Sequence, residues 1–398
     1  MSHEVPAGWR KGRISELVVE VTQRIAPQAV PDPDIPYLGL EDIGQGSGTI
    51  LSVGRAQDAT SQKSCFSSGD VLFGKLRPNL KKVARPDFDG ICSTDISVFR
   101  AKEQVDPDFA FWVLSSDSVI EHAVAHSAGT KMPRAHARSI LSFETTIPPL
   151  NEQQQIAEVL RSADEASAAA RSVVGQYDDV IKTQIDTVVT ELVADPTVPM
   201  VRLGEIASVK GGKRLPKGSV YSDSPTGFRY IRVTDWSDHE IDPTSVKWIS
   251  DEAAAAIKRY TISSADLFIS IAGSIGLVGT VPQELDGAFL TENAAKIVVR
   301  EIDRIDRDYL LSVMISSSLI AQIQQQKGVG GGVPKLALFR IEALEIPLPS
   351  LERQQDIAAA YRSLKSARIA AAQSSASSGG LRRKLSADLL SGRVRVPS

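Results

Sequence analysis

Basic and polar side chains crowd a few short stretches of this sequence, and they are the groups whose type and spacing could do chemistry. Phe73-Gly74-Lys75-Leu76-Arg77-Pro78-Asn79-Leu80-Lys81-Lys82 holds the bases Lys75, Arg77, Lys81 and Lys82 together with Asn79. Arginine and lysine donate to guanine edges and to phosphates, and asparagine matches adenine, so such a loop suits DNA; a plain solvated loop reads the same from this fragment alone. A second stretch places Lys210, Lys213, Arg214 and Lys217 among Gly211, Gly212 and Gly218, with Arg229 and Arg232 following. Glycines there would let the backbone approach a phosphate closely. Lys131 and Arg134, and later Lys327 and Lys335, occupy comparable places before the strand that leads into each of two long helical stretches.

Catalytic patterns are missing. Neither Asn-Pro-Pro-Tyr nor Asp-Pro-Pro-Tyr occurs, so the usual amino-methyltransferase motif is absent. The nearest imitation of a phosphate-binding loop, Gly328 to Lys335, puts Pro334 before the lysine, where a helix N-terminus should begin. His122 and His126 are four apart on an expected helix, a spacing that could ligate a metal, but no zincin-type glutamate accompanies them and a surface or core role is expected. Glu41-Asp42 and Asp178-Asp179 read as turn and solvated-face residues. Cys65 and Cys92 lack metal spacing and are expected to be reduced.

The elements that must position these groups come from a repeat. Trp9-Arg10-Lys11-Gly12 returns as Val201-Arg202-Leu203-Gly204, and Ser68-Gly69-Asp70-Val71-Leu72-Phe73 as Ser264-Ala265-Asp266-Leu267-Phe268-Ile269. Pro133-Arg134 returns as Pro334-Lys335, and Pro148-Pro149-Leu150-Asn151-Glu152-Gln153-Gln154-Gln155-Ile156-Ala157 as Pro349-Ser350-Leu351-Glu352-Arg353-Gln354-Gln355-Asp356-Ile357-Ala358. The four matches keep their order, and their offset grows from 192 to 201 as small insertions accumulate. Copies of this length are domains rather than solenoid units. Each mixes strand-like runs, such as Tyr37 to Leu40 and Tyr230 to Val233, with helical stretches, Asp106 to Ala125 and Asp306 to Gln326, which predicts an α+β fold.

After each domain a strand ends at Ile147-Pro148 or Ile346-Pro347 and a long helix begins. In the first, Ile156, Leu160, Ala163, Ala170, Val174, Tyr177, Ile181, Val188 and Leu192 follow three-and-four spacing, with gaps at Ser167 and Gln184; a coiled-coil seam is predicted. If wholly helical, this rod spans roughly 65 Å at about 1.5 Å per residue. The second shows Ile357, Tyr361, Leu364 and Ala371, a flexible stretch from Ser374 to Gly380, then Leu381, Leu385 and Leu389.

Charge assigns these rods to each other. Net charge is −3, too acidic for a simple phosphate-neutralising protein. Residues 151–195 carry 3 bases and 9 acids, however, and residues 351–398 carry 9 and 3, while residues 1–150 (16 and 18) and 196–350 (17 and 18) are near neutral. Two helices with apolar seams and opposite sign are expected to pair, and if they run antiparallel the two domains are expected to be related by an approximate two-fold axis.

Pro-Pro-Leu-Asn-Glu-Gln-Gln-Gln-Ile-Ala at 148–157, its altered partner at 349–358, and Gly69 to Pro78 together resemble the specificity subunits of type I restriction-modification enzymes; Ala265 to Gly276 is similar to another form of the Gly69 block. The resemblance spans nearly the whole chain. It implies target-recognition domains at 1–150 and 196–350, helices of a central antiparallel coiled coil at 151–195 and 351–392, and a tail at 393–398. It also implies a non-catalytic subunit that reads a split, asymmetric double-stranded DNA site and scaffolds two methyltransferase subunits and, through them, restriction subunits. S-adenosylmethionine, ATP and magnesium would belong to those partners, with no cofactor or metal on this chain. Arg353 stands where the first copy has Glu152, so contacts of that glutamate do not carry over. With no apolar leader or membrane span in the sequence, a cytoplasmic protein is expected. A degenerate methyltransferase or nuclease and a protein-interaction scaffold are the alternatives that the sequence leaves open.

Overall fold

The computed structural model describes residues 5–26, 29–30, 32–58, 60–129, 131–222, 224–326 and 335–396. They divide into two units, Met1–Ser172 with Gln373–Ser398, and Val173–Ala372, so each unit takes segments of both long helices.

In the first unit, strands Val18–Val21, Ile96–Ala101, Val71–Gly74 and Val83–Ala84 form one sheet in that spatial order. Val71–Gly74 is buried at every position, which is why it reads as a continuous apolar run rather than an alternating one. A second sheet orders Arg24–Ile25, Lys63–Phe66, Gly90–Cys92, Pro36–Leu38 and Gly54–Arg55, with Pro36–Leu38 parallel to Gly90–Cys92. Arg10–Arg13 pairs antiparallel with Glu144–Ile147. The second unit repeats this plan. Ala207–Gly211, Ala294–Val299, Leu267–Ser270 and Val278–Thr280 match the first sheet, extended by a hairpin of Trp236–Ser237 and Glu240–Ile241. Arg229–Ile231 runs parallel to Phe289–Leu290, and Met200–Arg202 pairs with Glu345–Pro347.

The helical stretch in each copy is two helices, broken at Ser116 in the first and at Ile315-Ser316 in the second. Asp106 caps the earlier helix through the Phe109 N–H (2.8 Å), and Asp306 caps its counterpart through Asp308 and Tyr309 (2.8 and 2.9 Å). The buried glutamines of the repeated motif tie the rods to these caps. Gln153 accepts from the Asp106 N–H (3.0 Å) and donates to the Pro148 carbonyl (3.0 Å). Gln354 accepts from Asp306 (2.9 Å) and donates to the Arg304 and Pro349 carbonyls (both 2.9 Å).

The rods are Leu150–Ala194 and Leu351–Leu390. They run antiparallel in each unit. In the first, Asp164 pairs with Arg382 at 3.1 Å, and Leu389 joins Ile156 and Leu160 in the core. In the second, Asp178 pairs with Arg368 at 2.6 Å, and Ile185, Val189 and Leu192 share a core with Ala358 and Tyr361.

Four expectations about the rods need correction. Ser374 to Gly380 is helix without interruption. Ser167, read as a gap, is among the most buried rod residues, and Leu381 is exposed. Towards the end of the first rod the buried set is Ile185, Val189 and Leu192, with Val188 half-buried, because those turns face a globular core and need a broader apolar stripe than a two-helix seam. Ala163, Ala170, Val174, Tyr177, Ile181, Ile357, Leu364 and Leu385 are half-buried, as befits a thin seam. The second rod's bases also do more than pair with the first rod: Arg362 binds Asp308, Lys365 binds Glu240, and Arg368 reaches Asp238 besides Asp178, bracing the hairpin against the helix.

Candidate nucleic-acid interface

The loop that follows the buried strand is held by the same backbone hydrogen bonds in both copies. In the first unit Lys75 donates its N–H to the Asp95 carbonyl (2.8 Å), Ala135 donates to the Lys75 carbonyl (3.0 Å), and Leu76 bridges Arg134. In the second, Ile271 donates to Asn293 (2.8 Å), Leu336 donates to Ile271 (2.9 Å), and Ala272 bridges Lys335. Lys75 therefore corresponds to Ile271, Asp95 to Asn293 and Arg134 to Lys335. One frame presents two different sets of side chains.

In the first unit the frame gathers Lys75, Arg77, Lys131 and Arg134. Arg77 is exposed with φ +51°, its N–H fixed to the Pro133 carbonyl at 2.8 Å. Arg77 and Lys81, also left-handed, flank the single turn Pro78–Leu80 that displays the exposed Asn79. Lys131 is exposed, and Arg134 is exposed but engaged with Asp95. Lys75 is half-buried, and that burial pulls its ammonium below the usual lysine range. Two of the expected DNA-facing bases already have partners within the chain: Lys81 pairs with Asp117 at 2.5 Å, and Lys82 donates to the Leu40 carbonyl at 2.6 Å.

In the second unit Lys210, Lys213, Lys217 and Lys335 are exposed. The Lys213 ammonium lies 5.8 Å from the Tyr260 ring centroid, and Arg214 pairs with Glu292 at 2.6 Å. Burial raises the Glu292 carboxyl, and Arg214, its own backbone and Thr291 more than offset that, leaving it lowered. Arg229 and Arg232 belong to the scaffold. Arg229 stacks 4.6 Å over Trp248 and donates to the Pro243 carbonyl, and Arg232 holds the buried Asp235 and donates to the Ser245 carbonyl. Gly212 serves the chain rather than a phosphate: a Cβ there would sit 2.1 Å from the Thr291 carbonyl oxygen. Lys327, and the glycine run Gly328 to Pro334, lie outside the described residues.

Sequence reasoning missed Arg24, Asp95, Glu292 and Asn293. Val21 pairs with Val98 as Lys210 pairs with Lys296, so Arg24, three residues on from Val21, is the counterpart of Lys213. Its charge helps to lower the Lys75 amine. Aligning the repeat through the strand before each loop was the signal that would have found it. His122 and His126 spend ring nitrogens on the carbonyls of Ser139 (3.0 Å) and His122 (2.9 Å), and among the described residues no three His, Cys, Asp or Glu side chains gather as a metal site. No described helix is long and apolar enough to cross a membrane.

Comparison with known proteins gives a consistent result. The family model for "Type I restriction modification DNA specificity domain" matches residues 6–171 and 197–372. The "Type I restriction enzyme EcoDI specificity subunit" of Escherichia coli is 29% identical over 183 residues, covering 44% of this chain and 39% of that protein. The MjaVIII specificity subunit of Methanocaldococcus jannaschii is 19% identical over 414 residues, covering 98% of this chain and 94% of that one. Among solved structures, a chain from work described as "complex assembly and conformational transition of the type I R-M system" aligns over 98% of this chain and 100% of its own, with TM-score 0.65 and 23% identity. The S subunit from M. genitalium aligns over 98% and 97%, with TM-score 0.54 and 14% identity. These two likenesses are likenesses of fold.

Proposed function

The chain belongs to the family of type I restriction-modification DNA specificity domains, and from that premise we propose that it is the sequence-reading subunit of such a system and recognises a split, asymmetric DNA site. The carrying observation is the repeated hydrogen-bond frame with unlike side chains. A protein reading two identical half-sites would keep Asp95 and Arg134 where the second copy has Asn293 and Lys335. Base edges are read by hydrogen-bonding side chains and phosphates by any cation, so the exposed Arg77, Asn79, Lys131 and Arg134 of one loop set, and Lys210, Lys213, Lys217 and Lys335 of the other, supply both kinds of contact.

In this reading the chain transfers no methyl group and cuts no strand. It works in the cytoplasm with two methyltransferase subunits and, through them, restriction subunits; these carry S-adenosylmethionine, ATP and magnesium. A groove of about 1000 Å³ in the first unit, lined by Arg13, Trp112, Asp117, Glu144, Arg382 and Arg393, offers charges of both signs to such a partner. Each half-site read in a major groove should lie about one turn, roughly 34–36 Å, from the next, and the rod length is the natural determinant of the unread spacer.

The test is genome-wide methylation mapping in cells holding the methyltransferase partner, with and without this chain. A two-part motif with unlike halves that appears only with the chain is the expected result. Identical halves would contradict the asymmetry, and methyl transfer by the purified chain alone would contradict the division of labour.

A further inference from the structure

We propose that Arg134 is a guanine-reading residue of the first domain, held ready by Asp95. This rests on the split-site reading above and names one of its determinants. One Asp95 carboxylate oxygen accepts from Arg134 Nε (3.2 Å) and lies 3.1 Å from Nη2 in the same ion pair. Asp95 thus occupies the side edge of the guanidinium. The end edge keeps two parallel N–H donors on Nη1 and Nη2, and no other described residue takes them. Two parallel donors at fixed spacing match the O6 and N7 acceptors of guanine in the major groove.

The backbone beneath the side chain is fixed as firmly as its tip. Arg134 and Ala128 exchange both of their backbone hydrogen bonds (2.9 and 3.0 Å), Pro133 accepts from Arg77 (2.8 Å), and Ala135 donates to Lys75 (3.0 Å). The arginine is exposed yet pinned at both ends, so little conformational freedom remains to be lost on binding. Its neighbour Arg77 has no such buttress among the described residues and is placed for phosphate contact. In the second domain Lys335 replaces the fork with a single point charge and Asn293 replaces the buttress, so that domain does not use the same contact.

The experiment is methylation mapping of the full chain with its methyltransferase partners, comparing wild type with Arg134→Gln, Arg134→Lys, Asp95→Asn and Arg77→Ala. The expected result is that Arg134→Gln and Arg134→Lys both lose, by about tenfold to a hundredfold, discrimination at one G·C position in one half-site. The other half-site stays intact, which also reports that the variant is folded. Asp95→Asn relaxes the same position less, and Arg77→Ala lowers methylation evenly without altering the motif. An unchanged motif in both Arg134 variants, or an even loss at all positions, would overturn the assignment while leaving the split-site reading standing. Loss of methylation at both half-sites in Arg134→Gln and Arg134→Lys alike would also count against it, by making Arg134 a structural residue. Absence of any two-part motif from the wild-type complex would instead sink the underlying reading.

Discussion

Arg395, in the segment that follows the second rod, grips Glu152 at the start of the first rod with two nitrogens, at 2.5 and 2.8 Å. The same carboxylate accepts from the Trp9 indole at 2.9 Å, and Arg395 lies 5.8 Å over that ring. Glu152 is buried, so it holds the tail and the N-terminal segment of the first unit together. The second copy has Arg353 and Val198 at these places and lacks the arrangement. Arg395→Ala leaves a buried carboxylate with one neutral donor, and because the guanidinium is partly solvated the loss should be about 1–3 kcal/mol. Urea denaturation measures it; Glu152→Gln combined with Arg395→Ala should recover part of the loss, since no buried charge then remains.

Gln354 is fully buried and makes three hydrogen bonds with backbone groups of the second unit. Gln354→Ala strands an N–H and two carbonyls, at a cost of about 2–4 kcal/mol. Gln354→Glu is the sharper test: it keeps the acceptor for Asp306 but turns a donor into a second acceptor facing two carbonyls, so it should be no better than alanine. Equal stability of Gln354→Glu and wild type in chemical denaturation would show that the amide orientation is unimportant.

Much of this was legible in the sequence, and the misses have physical causes. The repeat, the rods and the Gln153 and Gln354 motif were visible because burial and hydrogen bonding constrain those positions in both copies. The phase at the end of the first rod was ambiguous: Ile181, Ile185, Val188, Val189 and Leu192 fit more than one face, and only the domain they meet decides between them. Ser374 to Gly380 looked flexible by composition. In fact small residues suit the place where the two helices approach: Gly379 faces Ser167, and a Cβ on Gly379 would come within 3.9 Å of the Ser167 hydroxyl. Which bases are left unengaged was the least legible feature, because Lys82 and Arg229 find their partners far along the chain and the nearby Asp235 that holds Arg232 is buried only by the fold.

The glycines inside the rods give a gain-of-stability prediction. Gly175 and Gly380 are helical, and a Cβ at either meets nothing within 4 Å. Alanine there removes the entropic penalty of glycine in a helix without a new clash, worth about 0.8–1 kcal/mol each. Gly175→Ala and Gly380→Ala should each raise the melting temperature of the unit that contains it. No gain in either would mean that these turns are frayed rather than helical in solution.

His239 makes the second unit acid-sensitive in a defined direction. It sits in the left-handed turn of the hairpin, packed edge-on to Trp236 at 5.5 Å, with Nδ1 3.4 Å from the Val278 carbonyl. Burial lowers its pKa, Lys365 and Arg368 on the second rod lower it further, and the Val278 carbonyl and Asp238 oppose the shift. The folded ring therefore stays neutral where the unfolded one takes up a proton, near pH 6.5. Stability is retained above that value and falls as pH drops through the window between the unfolded and the lower folded pKa, by at most about 1.4 kcal/mol per pH unit. His239→Gln keeps a donor for Val278 and cannot charge, so it should flatten this part of the pH profile of denaturant midpoints between pH 7.5 and 5. A wild-type profile as flat as the variant's would mean that the imidazolium is accommodated in the hairpin, with Asp238 outweighing burial.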